Sequence, residues 1–294
     1  MPLDVCFLNG EYLALRDAQV SPLDRAFLFA DAVYEVLPVY GGRPFRLRQH
    51  LDRLVRSLAQ IGMKAPLSHE QWAQVCAELV ERNSMGHDGP RDMYLYIQVT
   101  RGAEYGRNHA WPDDLQPTLF AYASALPALA PDLQAHGVAA ITAEDIRWAR
   151  RDIKSTSLLA NILLKKKAVD AGAFETIMLE NGFLTEGSST TVHVLFDGII
   201  HTPPNGHSIL PGTTRAVVEE LAVRAGLTAA SARVTEAQLR SADEVWLAFS
   251  TRGVLPVTRL DGKSVGTGSP GPLFKRIQAA FLAYIGELAT KPAL

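Results

Sequence analysis

Lys154 and Glu186 are the residues of this chain best suited by type and setting to covalent chemistry. The lysine closes the segment EDIRWARRDIK (Glu144–Lys154), and the glutamate opens EGSST (Glu186–Thr190). A helix and a tight hairpin are predicted between them, so two short elements could carry both residues into one site. An amine forms a Schiff base and moves protons, while a carboxylate keeps a pyridine nitrogen protonated so that the ring acts as an electron sink. Those are the two services that pyridoxal 5'-phosphate (PLP) needs from its protein. Arg147, Arg150 and Arg151 precede the lysine, and nearby positive charge would lower its pKa. Taken singly, the same residues also fit a solvated lysine in a basic segment and an ordinary loop acid.

Other segments could serve a phosphorylated ligand. In LPGTTR (Leu210–Arg215), Gly212 allows close backbone approach, and Thr213 and Thr214 offer N–H groups and hydroxyls at a helix N-terminus. A plain threonine N-cap fits the same pattern. Ser250 and Thr251 follow the strand-like EVWLAF, where a simple hydroxyl turn is the other explanation. Arg53 lies on an amphipathic helix but off its apolar stripe, which on pattern alone describes a solvated arginine. The loop GAEYGRNHAWP (Gly102–Pro112) carries Arg107 and His109, two apart, able to hold a carboxylate between guanidinium and imidazole. No Cys or His spacing suggests a metal, and no GxGxxG or Walker motif is present.

The elements that would position these groups are mixed. Asn9-Gly10 and Gly41-Gly42 read as hairpin turns. Apolar positions 47, 51, 54, 55, 58 and 61 predict a helix over Leu47–Ile61, ended by Gly62. A second helix is predicted over Ser68–Glu81, and strands over Asp92–Arg101 and Thr118–Ala123. ALPALAPDL (Ala125–Leu133) reads as a linker between a domain over residues 1–124 and a larger one over residues 134–294. Beyond it, Val138–Ala143 and Arg147–Lys154 read as strands. Ser155–Gly172 reads as a helix, with Leu158/Ile162 and Leu159/Leu163 at i,i+4. Hairpins are predicted with turns at Asn181-Gly182 and Asp197-Gly198, then a helix over Arg215–Ala225 and a buried strand over Glu244–Phe249. The class expected is α+β (mixed α/β), not a doubly wound parallel sheet.

Composition narrows the function classes. The 294 residues are 47% hydrophobic with a net charge of −2. A real core is expected, and the charge gives no reason to expect a nucleic-acid or membrane partner. Cys6 and Cys76 make no disulfide framework, so a reduced, cytoplasmic setting is expected. The N-terminus has no signal-peptide pattern, and no apolar run reaches membrane-spanning length.

Taken in order, these segments resemble the fold-type IV PLP-dependent aminotransferases, and most closely their D-amino acid aminotransferase branch, over nearly the whole chain. DRAFLFADAVYEVLPVY (Asp24–Tyr40) resembles the family's N-terminal signature, and HLDRL (His50–Leu54) its phosphate-arginine helix. YIQVTRG (Tyr96–Gly102) followed by RNHAWP resembles its substrate-carboxylate loop. EDIRWARRDIKS resembles the lysine segment, and TEGSS the glutamate turn. The resemblance implies two domains with PLP at their interface and a homodimer. Lys154 would form the Schiff base and shuttle the proton. Glu186 would pair with the pyridine nitrogen, and Arg53, Thr213, Thr214 and Ser250 would bind the phosphate. Leu210 would pack on the ring, with Ser189 also at the cofactor. Tyr34, Arg107 and His109 would trap the substrate carboxylate, the Arg–His pair coming from the neighbouring subunit. The activity implied is amino transfer between a D-amino acid (D-alanine, D-glutamate) and a 2-oxo acid (2-oxoglutarate, pyruvate), ping-pong through pyridoxamine phosphate.

Branched-chain aminotransferases, (R)-amine transaminases and aminodeoxychorismate lyases share the lysine and glutamate but do not usually carry the Arg–His pair. They remain the alternatives, with a PLP-binding protein lacking turnover as a further one. Three usual glycines of the first signature are Ala26, Ala30 and Ala32 here. Phe249 replaces a small hydroxyl residue, and Thr191 an asparagine. An altered loop near Tyr34 and weaker PLP retention are expected from these changes.

Overall fold

A computed structural model describes residues 2–85, 92–128 and 130–290. Leu129 of the expected linker, and the outermost residues of the two expected domains (Met1 and 291–294), lie outside the described residues. The chain divides into two compact units. One comprises Met1–Pro127, Ile153–Ser157 and Glu287–Leu294; the other comprises Ala128–Asp152 and Leu158–Gly286. The stretch around Lys154 therefore belongs with the first unit, although the expected second domain, residues 134–294, would contain it.

The first unit is built on strands β1 (Pro2–Leu8), β2 (Glu11–Ala14), β3 (Ala32–Tyr40), β4 (Arg43–Pro44), β5 (Met93–Thr100) and β6 (Leu119–Ala125). They form one antiparallel sheet in the order β2-β1-β6-β5-β3-β4. Its helices are α1 (Arg25–Phe29), α2 (Leu47–Gln60) and α3 (His69–Ser84). Alternation along β5 explains the layers. Met93, Leu95, Ile97 and Val99 share one core with Leu51, Leu54 and Leu58 of α2 and with Trp72 and Leu79 of α3. The alternate residues carry an aromatic run, Tyr34–Tyr96–Tyr122, with ring centroids 5.6 and 5.3 Å apart. Gly62 stops α2 with φ 72°. Ser68 caps α3 in a reciprocal capping box with Gln71.

The second unit contains α4 (Pro131–His136), β7 (Val138–Glu144), α5 (Leu159–Asp170), β8 (Glu175–Glu180), β9 (Phe183–Gly187), β10 (Thr191–Phe196) and β11 (Ile199–Thr202). It continues with α6 (Thr213–Arg224), β12 (Thr228–Ser231), α7 (Glu236–Arg240), β13 (Glu244–Phe249), β14 (Gly253–Leu260), β15 (Lys263–Ser264) and, as far as Gly286, α8 (Pro272–Thr290). The sheet runs β12-β11-β10-β13-β14-β7-β8-β9, with β15 on β14. Three pairs are parallel, β11–β12, β14–β7 and β7–β8. The other pairs are antiparallel. This mixture is the α+β class expected. Asn181-Gly182 and Asp197-Gly198 turn their hairpins with all four φ values positive, as the two-residue turns demand.

Two predicted elements are corrected. Arg147–Lys154 is not a strand but a succession of bends and turns. Local ion pairs between residues two apart hold it, Arg147 with Asp145 and Arg150 with Asp152. The following helix starts at Leu159, four residues later than predicted. Ser155 and Thr156 do not cap it; their backbones bond to the start of β3 instead. Of the residues paired at i,i+4, Leu159, Ile162 and Leu163 are exposed, and α5 buries only Leu164 and Ala168.

Candidate active site

Lys154 is fixed to the first unit by its own backbone. Its carbonyl accepts from the Tyr34 amide at 2.9 Å, and its amide donates to Ser57 Oγ at 3.3 Å. Ser155 forms a bridge with Val33, and the Thr156 amide donates to Ala32 O at 3.0 Å. Ile153 is buried in the sheet–helix core. The lysine thus rides a short extended stretch laid along β3, and its Nζ stands 4.2 Å from the centre of the Tyr34 ring. Two residues expected to act on the same substrate are in contact. The three preceding arginines are each held by carboxylates: Arg147 by Asp145 and Glu186, Arg150 by Asp152, Arg151 by Glu180 and Asp145.

Arg53 is buried, against the solvated position that helix patterning gives it. Its Nε and Nη2 donate to the two carboxylate oxygens of Glu35 at 2.7 and 2.8 Å. His50 Nδ1 lies 2.7 Å from the same carboxylate. Burial pushes the Glu35 carboxyl up, but Arg53 and His50 outweigh it and hold it far below the usual carboxylate range. Burial, opposed by Glu35, pushes His50 down. Its Nε2 is buried and has no hydrogen-bond partner among the described residues. Sequence reading missed Glu35 and His50, whose only signal is a glutamate inside an apolar strand.

In the second unit Glu186 is buried, and its carboxylate accepts from Arg147 Nη1 and, at 3.2 Å on each oxygen, from the Leu210 amide. Arg147 is itself braced by Asp145, which takes its Nε at 3.0 Å and its Nη2 at 2.7 Å and accepts from Thr185 Oγ1 at 2.7 Å. Burial raises the Glu186 pKa despite Arg147 and the Leu210 N–H. A buried carboxylate with fixed donors on both oxygens is held in one orientation. The hydroxyls beside it serve another acid. Ser188, Ser189 and Thr190 all bond the fully buried Glu175, Ser189 through both Oγ (3.0 Å) and its amide (3.3 Å). Ser189 is thus committed within its own turn, a pairing that sequence reading missed.

Gly212 caps α6, and Thr213 and Thr214 open it, both buried. Thr213 Oγ1 has no hydrogen-bond partner among the described residues. A Cβ on Gly212 would come within 2.7 Å of Thr191 Oγ1, so any larger residue there would force the threonine to shift. An unpaired buried hydroxyl at a helix N-terminus fits a phosphate. Ser250 follows β13, half-buried. Phe249 turns its ring towards Phe174, centroids 6.1 Å apart. Of the three alanines in the first signature, only Ala30 adopts positive φ, 56°, and Tyr34 sits in an unbroken ladder with β5. In the first unit, Arg107 and His109 stand on an exposed loop, flanking the Phe29 ring.

A family model for class IV aminotransferases matches residues 32–260. The chain belongs to the class IV aminotransferase family. A D-alanine aminotransferase from Bacillus licheniformis is 41% identical over 92% of this chain and 94% of its own length. One from Staphylococcus epidermidis is 36% identical over 95% and 97%. Among solved structures, an Escherichia coli branched-chain amino acid aminotransferase superposes with a TM-score of 0.89 at 26% identity, covering 96% of this chain and 95% of that one. The branched-chain amino acid aminotransferase of T.th., solved with pyridoxamine 5'-phosphate, also gives 0.89 at 26%, covering 97% and 95%. The fold is that of the fold-type IV aminotransferases, and the cofactor of this class IV aminotransferase is PLP. Each unit carries groups of the kinds it needs: in the first the Lys154 amine, in the second the buried Glu186 carboxylate and the Thr213 hydroxyl, which has no partner among the described residues.

Proposed function

We propose that this aminotransferase moves the amino group between a D-amino acid and a 2-oxo acid, D-alanine and 2-oxoglutarate giving pyruvate and D-glutamate in a two-step ping-pong cycle. The observation that carries the reading is the nearly full-length likeness to D-alanine aminotransferases, at 41% and 36% identity. The Arg107–His109 pair supports it, offering two donors to an α-carboxylate.

PLP, when bound, supplies a carbonyl for amine capture and a ring that spreads the charge left at Cα. Lys154 Nζ would hold the cofactor and move the Cα proton. One amine on one side of the ring fixes which enantiomer reacts, because the Cα–H must point at it. Glu186, its orientation fixed by Arg147 and the Leu210 N–H, would keep the pyridine nitrogen protonated, and the Leu210 side chain would line the ring. Arg53, Thr213, Thr214 and Ser250 hold the phosphate; Ser189 contributes by shaping the turn after Glu186. Tyr34, Arg107 and His109 bind the substrate carboxylate.

The assembly is a homodimer in which a second copy supplies Arg107 and His109. The exposed apolar residues of α5 support a covered face. The setting is cytoplasmic, in keeping with two unpaired, buried cysteines. No helix among the described residues is long and apolar enough to cross a membrane.

A branched-chain preference is the second reading, favoured by the solved structures above. Donor and acceptor assays separate the two. Pyruvate released from D-alanine only when 2-oxoglutarate is present supports the proposal. Faster turnover of L-leucine or (R)-phenylethylamine overturns it, and pyruvate release without an acceptor indicates a lyase.

A further inference from the structure

We propose that Arg25, braced by Asp31 and Phe29, positions Arg107 and His109 and thereby sets the enzyme's preference for substrates bearing an α-carboxylate. The inference rests on the reading of that pair as the carboxylate trap.

Arg107 and His109 are exposed, on a loop whose glycines, Gly102 and Gly106, have φ values of 103° and 126°. A two-donor clamp works only if both donors are held to within about 0.5 Å. A long exposed loop does not supply that by itself. Arg25 does. Its side chain is 4% exposed. From inside the unit it donates to Asp31 Oδ2 at 2.9 Å, Glu104 Oε2 at 2.8 Å, Asn108 O at 2.7 Å and His109 O at 3.1 Å. The last two are consecutive carbonyls: one belongs to the residue between the pair, the other to His109 itself. A planar guanidinium that grips both fixes the local peptide orientation, and with it the directions in which the two side chains leave the backbone.

Phe29 completes the bracket. Its ring lies 4.8 Å from the Arg25 guanidinium, 5.0 Å from that of Arg107, and 5.4 Å from the His109 ring. Asp31 ties the bracket to the body of the unit, because it also accepts from Arg101 Nε at 2.7 Å and Nη2 at 3.0 Å. Arg101 in turn donates to Ile61 O at 2.7 Å and covers the Trp111 ring at 3.9 Å. The loop is pinned at residues 104, 108, 109 and 111, all by groups that leave the trap's own donors to the substrate. Arg25 is thus a positioning residue.

The test uses the holoenzyme and follows the absorbance of the bound cofactor on titration with D-alanine and with D-alaninamide, which lacks the carboxylate. Three variants are compared with the parent: Arg25→Lys, which keeps the charge but loses the fork, Phe29→Leu, and Arg107→Gln. Arg25→Lys and Phe29→Leu are expected to raise the half-saturating D-alanine concentration about tenfold or more while leaving D-alaninamide within about twofold and cofactor retention unchanged. Equal weakening of both ligands would make the bracket a general structural support and overturn the proposal. If Arg107→Gln removes the discrimination but the two bracket variants keep it, the inference alone fails. If Arg107→Gln keeps it, the trap reading fails first. Should Arg25→Lys not fold, Phe29→Leu decides by the same ratio.

Discussion

At the scale of residues, chemistry was legible by type and pairing was not. Lys154 and Glu186 stand out by type, an amine and a carboxylate of the kinds that PLP chemistry uses. Their supports are invisible in a linear reading. Glu35 lies 18 positions before Arg53, in a strand that reads as apolar, and only the packing of α2 on β3 brings them together. Ser188–Thr190 look like neighbours of Glu186 but bond Glu175, because the turn after β9 folds them back on the first residue of β8. The Glu35 pair makes a pH prediction. Its carboxyl is depressed in the folded protein, so its contribution to stability is complete above about pH 4.5 and is lost as pH falls from there towards the folded value. Glu35→Gln, which removes the carboxylate that the buried Arg53 grips with two donors, is expected to cost about 3 kcal/mol or more at pH 7. It should also flatten the acid limb of stability against pH by up to about one proton. Urea unfolding at pH 7, 5 and 3 measures both; an unchanged slope would contradict the assignment.

At the scale of elements, periodicity located most helices, strands and turns, and failed where spacing imitated it. Arg147–Lys154 reads as a strand but is a loop, in which Arg147 pairs with Asp145 and Arg150 with Asp152. The predicted helix start falls too early because Ser155 and Thr156 are engaged by β3, a contact more than a hundred residues away in sequence. The alanine substitutions in the first signature separate on the same ground. Ala26 lies in α1 and Ala32 in β3, where alanine is unstrained, but Ala30 ends α1 in the left-handed region at φ 56°. Ala30→Gly is expected to stabilise the protein by about 1 kcal/mol, read as a rise in the thermal or urea midpoint. A fall would mean that the alanine methyl makes contacts worth more than the strain.

At the scale of the whole molecule, the family was legible because five motif segments occur in one order, a pattern that no single composition or period could supply. One apolar face becomes visible only in the fold. α5 leaves Leu159, Ile162 and Leu163 at 70%, 60% and 55% exposed, on a helix that buries just two residues. Such a face is costly in water and is expected to be covered by a second copy. Ile162→Glu together with Leu163→Glu should shift the protein to a monomer in sedimentation and lower turnover with it. An intact, active dimer would move the interface elsewhere.

The central claim, that Lys154 and the Arg107–His109 pair make a D-specific transaminase, is tested most directly by titrating the PLP-loaded enzyme with D-alanine and, separately, with L-alanine. D-alanine alone is expected to convert the cofactor absorbance to that of pyridoxamine phosphate, and 2-oxoglutarate to restore it. Conversion by L-alanine, or by neither enantiomer, would contradict it.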